Sequence, residues 1–230
     1  MRMIEIEGVA KSFTLHLRDG AVLWVLSDVS FTASAGDCVV LGGASGMGKS
    51  SLLRMIFGNY AADAGQIRVR DGAGLVDVAS VGPREIIALR KRAMGYVSQF
   101  LRVIPRVGSA EIVARAGVDG GLAPDAARRA AEALLQRLDI APALWRLPPA
   151  TFSGGEQQRI NLARGFVAPR PIMLLDEPTA SLDATNRRVV IELIREAKQA
   201  GSAILGIFHD EDVRAAVASR IIDISQFKPR

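Results

Sequence analysis

The eight residues Gly43-Ala44-Ser45-Gly46-Met47-Gly48-Lys49-Ser50 constrain this chain more than any other stretch. They follow the pattern G-x-x-x-x-G-K-S/T, a loop whose backbone N–H groups curl around phosphate. The short apolar run Asp37-Cys38-Val39-Val40-Leu41 feeds the loop, and Ser51 to Phe57 leaves it with helical character before Gly58. Strand, glycine loop and helix in that order favour a phosphate site over a glycine-rich turn with a surface lysine. Glycine allows the dihedrals and the close approach that an anion requires. A helix starting near Lys49 points its unpaired N–H groups and its positive dipole end at the phosphates. Lys49 adds a mobile positive charge for the β- and γ-phosphates, and Ser50 a hydroxyl for Mg²⁺.

The chain has 230 residues, 49% of them hydrophobic, enough for an α/β core with a small subdomain. No apolar run approaches the roughly 18 residues of a membrane span. Met1-Arg2-Met3-Ile4-Glu5 does not read as a signal peptide, because acidic residues interrupt any apolar region. The single cysteine, Cys38, excludes an internal disulfide and fits a reducing, cytoplasmic setting. It lies in the strand feeding the loop, where a buried, inert thiol is expected. The net charge of +5 allows an acidic partner. Arg84, Arg90, Lys91, Arg92, Arg102 and Arg106 cluster in sequence. Zinc ligands and RNA-binding aromatic motifs are missing, so no direct nucleic-acid partner is expected.

In chain order, residues 3–9 and 29–33 read as short strands, with Leu15-His16-Leu17 and Val22 to Leu26 between them. Arg18-Asp19-Gly20 reads as a hairpin turn. Gly65 to Arg70 alternates as a strand, Asp71-Gly72-Ala73-Gly74 turns, and Leu75 to Val78 returns. Pro83 to Arg92 reads as a helix with proline at its first position. Gly95-Tyr96-Val97-Ser98-Gln99 is a further strand. From Phe100 the chain becomes alanine-rich and helical, with Ala126 to Leu138 at helical spacing and a break at Leu147-Pro148-Pro149. Pro171 to Asp176 is a buried strand, Asp183 to Ala200 an amphipathic helix ended by Gly201, and Ser202 to Phe208 a strand. The expectation is an α/β fold: a parallel-sheet core whose ligands sit at the strands' carboxyl ends, with an antiparallel β part. Residues 1–99 and 166–230 would form the nucleotide-binding core with that β subdomain, and residues 100–165 a helical insertion.

Two further constellations carry chemistry. The aliphatic run before Asp176-Glu177 looks like a Walker B strand: Asp176 serves the Mg²⁺ environment, and Glu177 stands where it could polarise an attacking water. Phe152-Ser153-Gly154-Gly155-Glu156-Gln157-Gln158-Arg159 begins a helix, with Ser153 as N-cap and Glu156 completing a capping box. Capping leaves the two glycines of the first turn unexplained, and close backbone approach to a phosphate explains them.

Together these motifs resemble the ATP-binding cassette (ABC) ATPases over nearly the full chain. Residues 43–50 match Walker A, Gln99 the Q-loop, Phe152 to Arg159 the signature, Ile172 to Glu177 Walker B, Ala180-Ser181-Leu182-Asp183 the D-loop and His209 the switch histidine. The resemblance implies a P-loop NTPase fold with a RecA-like parallel core, and ATP and Mg²⁺ as cofactors. It implies an ATP-contacting set of Phe13 on the adenine, Gly43 to Ser51 and Gln99, with Ser153, Gly154, Gly155, Glu156 and Asp183. Ser50, Gln99 and Asp176 would serve the metal, and Lys49, Glu177 and His209 hydrolysis. Phe152 stands for the family's usual leucine, and Met47 for a residue more often small and polar. Family members pack two cassettes head to tail with ATP between each Walker A loop and the other copy's signature, so a second cassette, identical or paralogous, is expected.

Ser98 to Arg106, Thr151 to Arg159, Asn161 to Phe166 and Gly206 to Glu211 also resemble the L subunits of the bacterial phosphonate carbon–phosphorus lyase system. That likeness implies soluble phosphonate-processing partners associated with α-D-ribose 1-methylphosphonate 5-triphosphate synthesis, with the chain as a component of that synthase complex. Arg102 and Arg106 are the candidate partner contacts. The alternative expectation is the ATP-binding subunit of a membrane ABC transporter, of lipoprotein-release or small-molecule type.

Overall fold

The computed structural model describes residues 1–15, 19–101 and 105–228. His16, Leu17 and Arg18, and the candidate contact Arg102 with Val103 and Ile104, lie outside the described residues. The chain opens with two long antiparallel strands, β1 (Arg2–Leu15) and β2 (Ala21–Ser34). β3 (Cys38–Gly42) runs into the glycine loop, and α1 (Lys49–Ile56) leaves it. β4 (Ala64–Asp71), β5 (Gly74–Asp77), α2 (Pro83–Arg92) and β6 (Met94–Val97) follow. Three helices come next: α3 (Ser109–Asp119), α4 (Pro124–Arg137) and α5 (Gly154–Phe166). The chain then alternates through β7 (Ile172–Asp176), α6 (Ala184–Gln199), β8 (Ala203–Ile207), α7 (Glu211–Val217) and β9 (Arg220–Asp223).

The strands form two sheets. One is antiparallel, in the order β2-β1-β4-β5; the other is parallel, in the order β6-β7-β8-β3-β9. β7 and β8 are buried at every position, as a parallel strand covered on both faces must be. Their side chains alternate between two cores. Ile172 and Leu174 join Val39, Leu41 and the α1 residues Leu52, Leu53, Met55 and Ile56 under the antiparallel sheet. Met173 and Leu175 join Val40, Val97 and Ile204 against the helices carrying Val113, Leu135, Ile160, Leu162, Val190 and Ile194. The parallel sheet is therefore a middle layer, and β6, β7, β8 and β3 deliver their carboxyl ends to one edge.

The segments expected at residues 3–9, 22–26 and 29–33 belong to two 14-residue strands, and Leu15-His16-Leu17 lies largely outside the described residues. Gly8 (φ 60°) and Asp28 (φ 55°) sit where the register shifts. They bend the ribbon as bulges and do not end it. Three residues of the basic cluster are engaged within the fold, while Arg84 and Arg106 are exposed. Arg92 pairs with Asp71 and Glu85, Lys91 lies 3.8 Å from Asp119, and Arg90 donates to the Phe57 carbonyl and to Asn59. Burial pushes the Cys38 thiol up to about 12, so it is inert, as its strand position implies.

Candidate functional site

The glycine loop takes left-handed backbone at Gly43 (φ 111°), Gly46 (φ 78°) and Gly48 (φ 87°). At Gly48 a Cβ would also lie 2.5 Å from the Val25 side chain, so a larger residue would be both strained and crowded. Gly48 caps α1 with no side-chain bond to the first-turn N–H groups, which leaves them for an anion. The buried Lys49 ammonium donates to the carbonyls of Gly43 and Ala44, both at 2.7 Å. Burial lowers its pKa, opposed by Glu177, Asp176 and Asp223.

The loop opens on a cleft of about 300 Å³, floored by Ser45 to Ser51, with Glu177 and His209 at one end and Phe13, Leu23 and Val25 at the other. Phe13 is fixed edge-on to Tyr60, with centroids 5.6 Å apart, and Lys11 lies 5.3 Å from its ring. An aromatic and two aliphatic side chains side by side on one face of the ribbon suit a flat base. Leu23 and Val25 escaped the sequence reading, although the alternation of β2 places them on one face.

At the opposite end, Glu177 has a left-handed backbone (φ 54°), a strained state for a long side chain. Its N–H donates to the Ile207 carbonyl at 3.1 Å, which holds that geometry. Its carboxylate accepts from Gln99 Nε2 at 3.2 Å and lies 2.8 Å from His209 Nε2. Three neighbouring strand ends thus meet at one carboxylate. Asp176, 1% exposed, accepts from Ser50 Oγ at 2.8 Å and from the Tyr96 hydroxyl at 3.0 Å.

A hydroxyl and a carboxylate beside the loop are the hard oxygen donors that Mg²⁺ takes along with phosphate oxygens. Among the described residues no cluster of three or more His, Cys, Asp or Glu could hold a metal alone, and such a site does not need one. The arrangement fits a Mg²⁺–nucleotide, with Ser50 and Asp176 nearest the metal. Gln99, which the resemblance assigns to the metal, is turned to Glu177 in this structure.

Ser153, Gly154, Gly155 and Glu156 do not line that cleft. Gly154 lines a separate crevice of about 200 Å³ with Gln99, Gln157 and Ser181. Ser153 and Glu156 form the expected capping box, Ser153 N to Glu156 Oε2 at 2.9 Å. Asp183 also lies apart from the cleft; its carboxylate caps α6 by accepting from Asn186 N at 2.8 Å. Helix α5 braces both loops at the site: Gln158 donates to the Pro178 carbonyl at 3.0 Å and Asn161 to the Ser98 carbonyl at 2.5 Å. A last bracket was not read from the sequence. Asp210, the N-cap residue of α7, makes no side-chain cap bond. It accepts instead from Thr179 at 2.7 Å and from Arg187 at 2.9 Å, clamping the His209 loop to the Glu177 loop.

Comparison with known proteins agrees with this geometry. The chain is 35% identical over 223 residues to the macrolide export ATP-binding/permease protein MacB of Burkholderia thailandensis, covering 97% of this chain and 33% of that protein. It is likewise 35% identical over 222 residues to MacB of Nitrosomonas europaea, covering 96% and 32%. It thus spans about a third of the length of the curated relatives it matches. Among solved structures, the dimeric ATP-binding cassette MJ0796 in a post-hydrolysis state bound to ADP and Pi superposes with a TM-score of 0.85 at 22% identity, over 96% of this chain and 95% of that one. An ATP-binding subunit of an ABC transporter superposes with a TM-score of 0.81 at 22% identity, over 96% and 86%. Residues 26–180 match the ABC transporter family, and the chain belongs to it as an ATPase domain of the ABC ATPase fold.

Proposed function

We propose that the chain binds and hydrolyses ATP as the motor of a membrane transporter of small-molecule type. The observation that carries the hydrolytic half is the Glu177 carboxylate, reached by both Gln99 and His209 at the end of the phosphate cleft. There Glu177 accepts the proton of an attacking water, assistance worth roughly 10²–10⁴ in rate. His209 orients that carboxylate and reaches toward the γ-phosphate. Lys49 leaves the Gly43 and Ala44 carbonyls to neutralise phosphate charge. Mg²⁺, when bound, spreads the charge that develops on the phosphate oxygens. Phe13, with Leu23 and Val25, holds the base.

Ser153, Gly154, Gly155 and Glu156 stand outside their own chain's cleft, so a second cassette, a copy or a paralogue, supplies them to this one. The dimeric form of the similar cassette MJ0796 supports that pairing. The transport half is supported by relatives named as ATP-binding/permease proteins. A groove of about 360 Å³ beside Gln99, lined by Arg54, Asn59, Tyr60, Ser98 and Phe100, offers a seat for such a partner. Phe100 is 73% exposed there. The exposed Arg106 is a further contact. Among the described residues no helix is long and apolar enough to cross a membrane. Relatives named for macrolide export favour this reading over soluble phosphonate-processing partners.

The test is affinity purification of tagged Glu177→Gln protein with ATP and Mg²⁺, from membrane and soluble fractions separately. A permease recovered from detergent-solubilised membranes is the expected result. Soluble phosphonate-processing proteins in its place would overturn the transport reading and restore the other.

A further inference from the structure

We infer that the Tyr96 hydroxyl is a positioning group for Asp176, and that it strengthens metal binding at the nucleotide site. The inference rests on the ATP–Mg²⁺ reading above. Tyr96 lies on β6 directly opposite Leu174 of β7. Leu174 and Asp176 share one face of β7, so a side chain as long as tyrosine at position 96 reaches the carboxylate two residues on. The hydroxyl donates to Asp176 Oδ2 at 3.0 Å, while Ser50 Oγ donates to Oδ1 at 2.8 Å. The ring is held by Phe57 at the end of α1, with centroids 5.0 Å apart at 32°.

These contacts divide the labour between ring and hydroxyl. The ring fills space against Phe57, which a phenylalanine would do as well. The hydroxyl donates to Asp176 and also meets the Arg54 guanidinium, which leaves its hydrogen for the carboxylate. A carboxylate that is 1% exposed is satisfied and held in one orientation only when both of its oxygens have donors. With its hydrogen given to Oδ1, the Ser50 oxygen keeps its lone pairs for a cation. With Oδ2 held by Tyr96, the carboxylate cannot rotate away from Ser50. The two hydroxyls together preset the donor pair that a divalent cation meets. Tyr96 also lines the groove beside Gln99, so one phenol touches both the metal-side carboxylate and the proposed partner seat.

Tyr96→Phe in the full chain removes one oxygen atom and keeps the ring. Mn²⁺ is titrated by electron paramagnetic resonance into protein saturated with a non-hydrolysable ATP analogue. The analogue's own affinity is measured by fluorescence in EDTA. Loss of a hydrogen bond to a charged group predicts about tenfold weaker Mn²⁺ binding to the complex, with metal-free affinity for the analogue unchanged within about twofold. Unchanged Mn²⁺ affinity would overturn the inference. So would an equal loss in EDTA, which marks a packing role. If the unsubstituted chain adds nothing to the Mn²⁺ affinity of the analogue alone, the ATP reading itself fails, and the failure is seen before any substitution is made.

Discussion

Replacing Asp210 with alanine tests the bracket that joins the loops of Glu177 and His209. Aspartate at an N-cap ordinarily bonds the first-turn N–H groups, yet this one is spent on Thr179 and Arg187. Thr179 is 4% exposed, so its hydroxyl has no water to turn to once the acceptor is gone. Stranding a buried donor costs about 1–3 kcal/mol. The Arg187–Asp210 pair is about one-third exposed on each side and adds roughly 0–1 kcal/mol. A total near 2 kcal/mol lowers the melting midpoint by about 4–8 °C for a chain of this size. Asp210→Asn keeps an acceptor for Thr179 and should cost about 1 kcal/mol or less. In steady-state ATP hydrolysis, Asp210→Ala should lower kcat more than it changes KM, because the displaced group is His209 and not the loop that binds phosphate. A Thr179→Val, Asp210→Ala double-mutant cycle isolates the contact. Additivity within about 0.5 kcal/mol, or a full-rate Asp210→Ala enzyme, would refute the reasoning.

Glu177→Gln should preserve the fold, since an amide fits between Gln99 and His209, while hydrolysis falls by about 10²–10⁴; wild-type turnover in that variant would remove Glu177 as the base. Gly65→Ala should destabilise by at least about 2 kcal/mol in urea unfolding, because Gly65 has φ 81° and its Cβ would strike the Gly8 carbonyl. Asp63 accepts from Lys11 and from Ser12, which holds its pKa below the ordinary 3.8. A depressed carboxylate pKa gives stability that is present above pH 3.8 and lost as pH falls through the folded-state value. The destabilisation by Asp63→Asn should therefore be full at neutral pH and shrink in acid unfolding curves below that range. A loss that stays constant with pH would show that the ionised form is not what matters.

The sequence is legible where a local pattern and the tertiary demand coincide. The run Ile172 to Leu175 is aliphatic because β7 is buried on both faces, so strand and carboxylate could be read together. Helix α2 and the capping box of α5 follow from Pro83, Ser153 and Glu156. The long β1–β2 ribbon reads as short pieces in the sequence; only the pairing between the strands shows that it continues through bulges at Gly8 and Asp28. Tyr96, Leu23 and Asp210 carry no motif of their own. Each becomes informative through a partner distant in sequence: Asp176, Phe13 and Thr179 respectively. Asp183 shows the reverse case, since the family pattern marks it for nucleotide contact while its carboxylate serves the start of α6. Arg90 and Arg92 look free in sequence but are tied up by the fold.

The alternation of side chains along β7 has a further consequence. The parallel sheet works as a party wall, with each strand residue facing one tenant only. Leu174 faces the antiparallel sheet and Leu175, its immediate neighbour, faces the helices. Val39 and Val40 divide in the same way on β3. Two truncations one residue apart would therefore loosen opposite halves of the molecule: one the side that carries Phe13, the other the side that carries Ser153 and the signature glycines. Sequence adjacency in these strands is a poor guide to shared effect, and residues two apart are the ones that answer together.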